Sequence, residues 1–224
     1  CFYWSGVGLY LLYFYTDIVG ISPYLAGWIY ALGIAWDAVT DPFMGYLAER
    51  TSSPRGRYRP YILFGTIPLA LSFVLLFWVP PLEGISLFLC LVVINVFHRT
   101  CFTIVSVPYS SLTPRITSDS EERTKLTTAR MIGASFGTLL MSSLGFPIIN
   151  YFGQDNESLG IIYLSSFAAC FAVIILYITY ASVKESSTKE IKKTYPSVSE
   201  LILSILKNYP FWIVFSSILI LGST

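Results

Sequence analysis

The chain has 224 residues, 54% of them hydrophobic and 12% charged, and its mean hydropathy is positive. That is more apolar surface than a soluble core of this size buries, which excludes a soluble domain and indicates an integral membrane protein. The net charge of +1 by itself says nothing about partners, and no nucleic-acid partner is expected.

Apolar runs recur at about 2–21, 24–48, 61–80, 85–112, 126–149 and 159–183, and a last one starts near 211 and stops at Thr224. Each of the first six is about as long as the roughly 20 residues a helix needs to cross the hydrocarbon core. A membrane barrel, with alternating strands about half that length, is excluded. Residue 1 is Cys, and the chain opens on FYWSGVGLYLLYFY without a basic segment or cleavage site, so a signal peptide is not expected. Both ends read as cut inside a transmembrane helix. Three parts are predicted: a six-helix bundle over 1–183, a linker over 184–210, and the start of a seventh span over 211–224. Within the linker, Val198, Leu201, Ile202, Ile205 and Leu206 fall at helical spacing behind a Ser197/Glu200 capping box. That pattern predicts a short amphipathic helix on the membrane surface.

All Lys and Arg except Arg99 and Arg130 fall in the second, fourth and sixth connections, while the odd-numbered connections carry only acids. By the positive-inside rule the even connections are cytoplasmic. Cys1, Cys90, Cys101 and Cys170 lie in apolar runs without metal-type spacing and read as small core residues. No nucleophile and base pair, zinc cluster or phosphate-binding glycine loop occurs, so an enzyme is not expected, nor is a cofactor beyond a coupling ion.

Charges inside a span are costly and ordinarily face a cavity or a partner. Asp37 and Asp41 lie one turn apart, on a four-residue series that runs Gly33, Asp37, Asp41, Gly45, Glu49. Two carboxylates with Thr40 beside them can ligate Na⁺ or share a proton. Asp37 is about 13 residues into its helix and Arg99 about 14 into the fourth, so both lie roughly 20 Å below the outer surface. Two readings of Arg99 stay open: a fixed ion pair with Asp37, or a cavity cation that meets an anionic substrate. Arg130 lies near the cytoplasmic end of the fifth helix, where snorkelling also accounts for it. His98 reads as a buried, satisfied histidine. Tyr10, Tyr13, Tyr15, Trp28 and Trp36 are enough aromatics to line a sugar site by stacking, although most aromatics here must be belt or core residues.

The stretch WDAVTDPFMGYLAERTSSPRGRYRPYILFG, together with YFYTD at 13–17, VPYSSLTP at 107–114 and EERTKLTTAR at 121–130, resembles the glycoside-pentoside-hexuronide:cation symporters. These belong to the major facilitator superfamily and include the melibiose permeases. The resemblance covers nearly the whole chain as the N-terminal half of a twelve-helix transporter. It implies that Asp37 and Asp41 bind the coupling cation, Na⁺ or H⁺, with Thr40 and Thr103 as further ligands. It places Arg130 at the sugar site. It also assigns Gly45, Glu49, Arg50, Arg57 and Arg59 to a cytoplasmic gate motif, with Glu49 where Asp is usual. The family's sugar-binding aspartates would fall at Cys1 and Ser106 and a tryptophan at Ser110, and none is present.

Arg99 stands where the family has a small residue. Lost acids and a gained arginine fit an anionic substrate such as a hexuronide, with Arg99, Arg130, Ser106, Tyr10 and Trp36 as candidate contacts. The expectation is cation-coupled symport of a sugar, glycoside or uronide by alternating access, with a second six-helix bundle as partner, in a plasma or bacterial inner membrane. Two alternatives stand beside it. Animal lysophospholipid symporters share the VPYS and paired-acid framework, and a half-size membrane subunit without transport of its own is the reading from another class.

Overall fold

A computed structural model describes residues 2–116, 119–154 and 156–183. Cys1, the predicted linker with its amphipathic helix, and the start of a seventh span lie outside the described residues. Six α-helices follow in chain order: α1 Phe2–Tyr13, α2 Pro23–Arg50, α3 Arg59–Leu76, α4 Gly84–Ile116, α5 Ser120–Gly153 and α6 Glu157–Ser182. There is no strand among the described residues. The all-α membrane class and the six-helix bundle expected from the hydropathy pattern are what the fold has.

Helix boundaries follow local chemistry. Ser22 caps α2 by accepting from the Leu25 N–H, with Pro23 in the first turn, where its missing N–H costs nothing. Asp119 and Asn156 cap α5 and α6 in the same way. Helix α5 begins six residues before its apolar run. Its polar first turn carries Glu121 and Glu122 at the positive end of the helix dipole, and Glu121 pairs with Lys125 at 2.9 Å. Helix α3 ends at Leu76 rather than near residue 80, because Pro80 and Pro81 disfavour helical backbone before them. The first span is not one continuous α-helix. Phe14–Ile18 form a π-helical turn, in which the Val19 N–H reaches the Phe14 carbonyl at 2.9 Å.

Helices α3 to α6 are each long and apolar enough to cross a membrane. Helix α2 has the length, 28 residues, but its aspartates and terminal charges dilute its apolar character. The contacts close a ring in the order α1, α5, α6, α3, α4, α2. Leu11, Phe14, Ile29, Leu69, Phe73, Leu91, Ile149 and Ile161 fill its core. Phe14, Phe77 and Phe73 stack edge to face, with centroids 5.5 and 5.4 Å apart. Gly153 and Gly160 let α5 and α6 cross closely: a Cβ on Gly160 would run into the Ile149 carbonyl. On the far side Met131, Ile132, Phe136 and Leu139 of α5 stand exposed, a surface that lipid or further helices must cover.

Candidate functional site

The acidic strip of α2 lies against α4 in parallel register, each residue facing the one 62 positions later. Asp37 pairs with Arg99. Thr103 donates a hydrogen bond to Asp41 Oδ1 at 2.7 Å. A Cβ on Gly33 would strike Asn95 and Arg99, and one on Gly45 would lie 3.8 Å from Val107. A sequence signal for this lay in α4, where Asn95, Arg99 and Thr103 share the four-residue period of Gly33, Asp37 and Asp41. Asn95, which the sequence reading did not single out, is the residue that this period would have found.

Arg99 is 4% exposed and Asp37 20% by side chain, whereas Asp41 is exposed. The Arg99 Nε–H donates to Asn95 Oδ1 at 3.2 Å, and Asn95 Nδ2 donates to the Tyr15 hydroxyl at 3.3 Å. Tyr15 is fully buried in the π-helical turn. The Trp4 and Tyr30 rings flank the guanidinium at 5.8 and 5.3 Å. Asp37 Oδ1 and Arg99 Nη2 are buried with no hydrogen-bond partner among the described residues. Pro42, next to Asp41, leaves the Ala38 carbonyl without its helical N–H, so the backbone between the two acids also offers oxygen.

His98 turns away from this group. Its Nδ1 lies 3.1 Å from the Ser72 hydroxyl of α3, and its ring packs on Phe73.

The structure brings Asp37, Asp41, Thr103 and Arg99 together, with Trp36 beside them. The Trp36 indole N–H donates to Thr100 at 2.9 Å, a third tie from α2 to α4. Thr40 donates to the Trp36 carbonyl at 3.0 Å and is half-buried on the same helix. Ser106 is half-buried on the α4 face of Arg99 and Thr103, toward the C-terminal end of the helix. Arg130 is exposed on α5, and among the described residues no hydrogen bond or ion pair joins it to the acids.

Tyr10 sits elsewhere. It is 2% exposed, its hydroxyl donates to the Met141 carbonyl at 2.9 Å, and Gly145 makes room for it between α1 and α5.

The residues expected at the gate divide between two surroundings. Arg59 Nη2 donates to the Tyr180 carbonyl at 2.8 Å and its guanidinium lies 4.6 Å from the Tyr180 ring, tying the start of α3 to the end of α6. Arg50 lies over Tyr46 of its own helix at 4.1 Å. Glu49 is exposed, and Arg57 is half-buried in the α2–α3 loop, where Gly56 takes φ 104°, a left-handed backbone that favours glycine.

Residues 2–221 match the family described as MFS/sugar transport protein. The chain is 31% identical over 210 residues to the inner membrane symporter YicJ of Escherichia coli, covering 94% of this chain and 45% of the relative. It is also 31% identical over 213 residues to the isoprimeverose transporter of Lactiplantibacillus pentosus, covering 94% and 44%. Against the sodium-dependent lysophosphatidylcholine symporter 1-A of zebrafish (Danio rerio) it is 38% identical over 148 residues, covering 65% and 27%. The chain therefore spans less than half the length of each of these relatives. It belongs to the MFS/sugar transport family, a family of multi-pass membrane transporters rather than enzymes.

Proposed function

We propose that this chain is the N-terminal bundle of a secondary transporter that couples the entry of a cation, Na⁺ or H⁺, to that of a sugar, glycoside or uronide. The observation that carries the reading is the α2–α4 seam, where two carboxylates and a threonine hydroxyl converge at mid-helix in a family of sugar transporters. Hard oxygen donors suit Na⁺, and a carboxylate pair suits a proton equally. A second bundle completes the cavity and covers the exposed faces of α2 and α5. Charge placement supports cytoplasmic even-numbered connections in a bacterial inner or plasma membrane.

In this reading Asp41 and Thr103 bind the cation, with Asp37 and Thr40 in reach. Trp36, Ser106, Arg99 and Arg130 are the candidate substrate contacts on this half. Tyr10 packs α1 against α5 instead, so the stacking expected of its ring falls to Trp36. Glu49 and Arg57 face the cytoplasmic end and serve the inner gate, while Arg59 fixes the α3–α6 corner that the gate moves against.

The test is uptake by the full-length protein in proteoliposomes, with a panel of glycosides and hexuronides and an imposed Na⁺ or pH gradient. Accumulation driven by one gradient and abolished by Asp41→Asn is expected. Uptake that neither gradient drives would defeat the reading. The zebrafish relative supports a second reading, a lysolipid substrate on the same framework, and lysophosphatidylcholine uptake in the same vesicles separates the two.

A further inference from the structure

We infer that the groove between α3 and α4 seats one acyl chain of a phospholipid whose anionic headgroup pairs with Arg55. The groove holds about 320 Å³ between apolar walls, with Tyr61, Phe64, Gly65 and Pro68 of α3 on one side and Cys101 and Ile104 of α4 on the other. Thr51 closes one end, and its hydroxyl is already hydrogen-bonded to that of Tyr61. Gly65 keeps the two helices close at the floor, since a Cβ there would lie 2.6 Å from a Val105 methyl.

This groove faces away from the acidic seam. Cys101 is two residues from Arg99 and Ile104 two from Ser106, a rotation of about 200° around α4. In the ring of helices α3 stands opposite α1, whereas the faces assigned to a second bundle belong to α2 and α5, on either side of α1. Phe64, Ile67 and Leu71, all exposed on α3, therefore meet the membrane. Pro60 and Pro68 mark the two ends of the groove on α3, about 12 Å apart along the helix, which fits within the ~15 Å of one leaflet. That length suits an acyl chain entering from the side of the α2–α3 loop and is too short for a spanning helix of a partner.

Charge sets the headgroup end. Residues 51–59 contain three arginines and no acid. Arg59 is committed to the Tyr180 carbonyl, and Arg57 is half-buried in the loop. Arg55 is exposed, with its guanidinium carbon 5.9 Å from the centre of the Phe64 ring. Among the described residues no hydrogen bond or ion pair engages that guanidinium. Its planar fork matches two phosphate oxygens. Phe64 joins the two halves of the site, because the ring beneath Arg55 is also a wall of the groove. A choline headgroup would bring a second positive charge beside Arg55, and a glycerol headgroup would not, so the site selects an anionic lipid. The inference needs only a membrane around the bundle and stands whether or not the chain couples a cation to a substrate.

The test titrates the full-length protein in detergent with phosphatidylglycerol and, separately, with phosphatidylcholine of the same acyl chains, reading the unfolding midpoint against lipid concentration. One basic residue at an anionic headgroup is worth about fivefold in affinity, so phosphatidylglycerol should reach half-effect at about one-fifth of the phosphatidylcholine concentration. Arg55→Gln should bring the two lipids within about twofold of each other, and Arg55→Lys should keep most of the preference. Phosphatidylglycerol carrying a photoactivatable diazirine in mid-chain locates the chain. Its label should concentrate on peptides containing residues 64–68 and 101–104 and fall about fivefold in Arg55→Gln. Glycerol 3-phosphate, a headgroup without chains, should shift nothing. Equal half-effect of the two lipids on the wild type, or a preference that survives Arg55→Gln, would overturn the inference. So would label spread evenly over the exposed apolar faces of α3 to α6, or a groove left unlabelled in a dimer because a second copy of the chain covers it.

Discussion

Gly33→Ala is the smallest change that reaches the seam between α2 and α4. The added Cβ would lie 2.7 Å from Arg99 Cδ and closer still to Arg99 Nε and Asn95 Oδ1. Those neighbours are poorly placed to yield, because Arg99 is tied to Asp37 and Asn95, and Asn95 to Tyr15. Overpacking of this kind costs about 1–3 kcal/mol, and loss of one hydrogen bond to a charged group costs about 1.5–3 kcal/mol. Alanine's better helix propensity returns about 1 kcal/mol. The net expectation is a destabilisation of roughly 2–4 kcal/mol by these increments. The matched control is Gly27→Ala on the same helix, where a Cβ meets nothing within 4 Å. Thermal unfolding of the two full-length variants should separate them by roughly 2–8 °C, Gly33→Ala the lower. Melting temperatures that coincide would refute the claim that Arg99 and Asn95 are held rigidly against α2.

Thr103→Val removes the donor to Asp41 at constant shape and should raise half-saturation for the coupling cation at least ~10-fold, read from uptake against cation concentration. Tyr10→Phe should cost about 1 kcal/mol of stability by releasing the Met141 carbonyl, with the substrate KM unchanged. A large KM change would return Tyr10 to the substrate site. Arg59→Lys keeps the charge but loses the planar fork on the Tyr180 carbonyl and the stacking on its ring, so its melting temperature should fall nearly as far as that of Arg59→Ala. Gly160→Ala sets a methyl against the Ile149 carbonyl, where only backbone can move, and should cost about 3 kcal/mol or more, seen as loss of a monodisperse peak on size exclusion.

The membrane class, the six helices and their order were legible in the sequence because hydropathy is additive along the chain. A helix that must cross lipid announces itself over about 20 residues. The paired acids were legible for the complementary reason, that a charge in an apolar run is conspicuous. The π-helical turn at Phe14–Ile18 was not, since one extra residue in a helical turn leaves the apolar pattern intact. Nor was the placement of Tyr10. Its ring looks the same in a sequence whether it faces a sugar or Gly145, and only the α1–α5 contact decides between them.

Arg99 marks the division most clearly. Equal depth of Asp37 and Arg99 followed from residue counts alone, and so did the possibility of an ion pair. That α2 and α4 run side by side with a constant offset, that Gly33 opens the space, and that Asn95 and Tyr15 lock the guanidinium required the packed helices. Depth is set by the rise per residue of each helix separately. Facing is set by how two helices rotate against each other, and that is a property of the bundle that no single helix encodes.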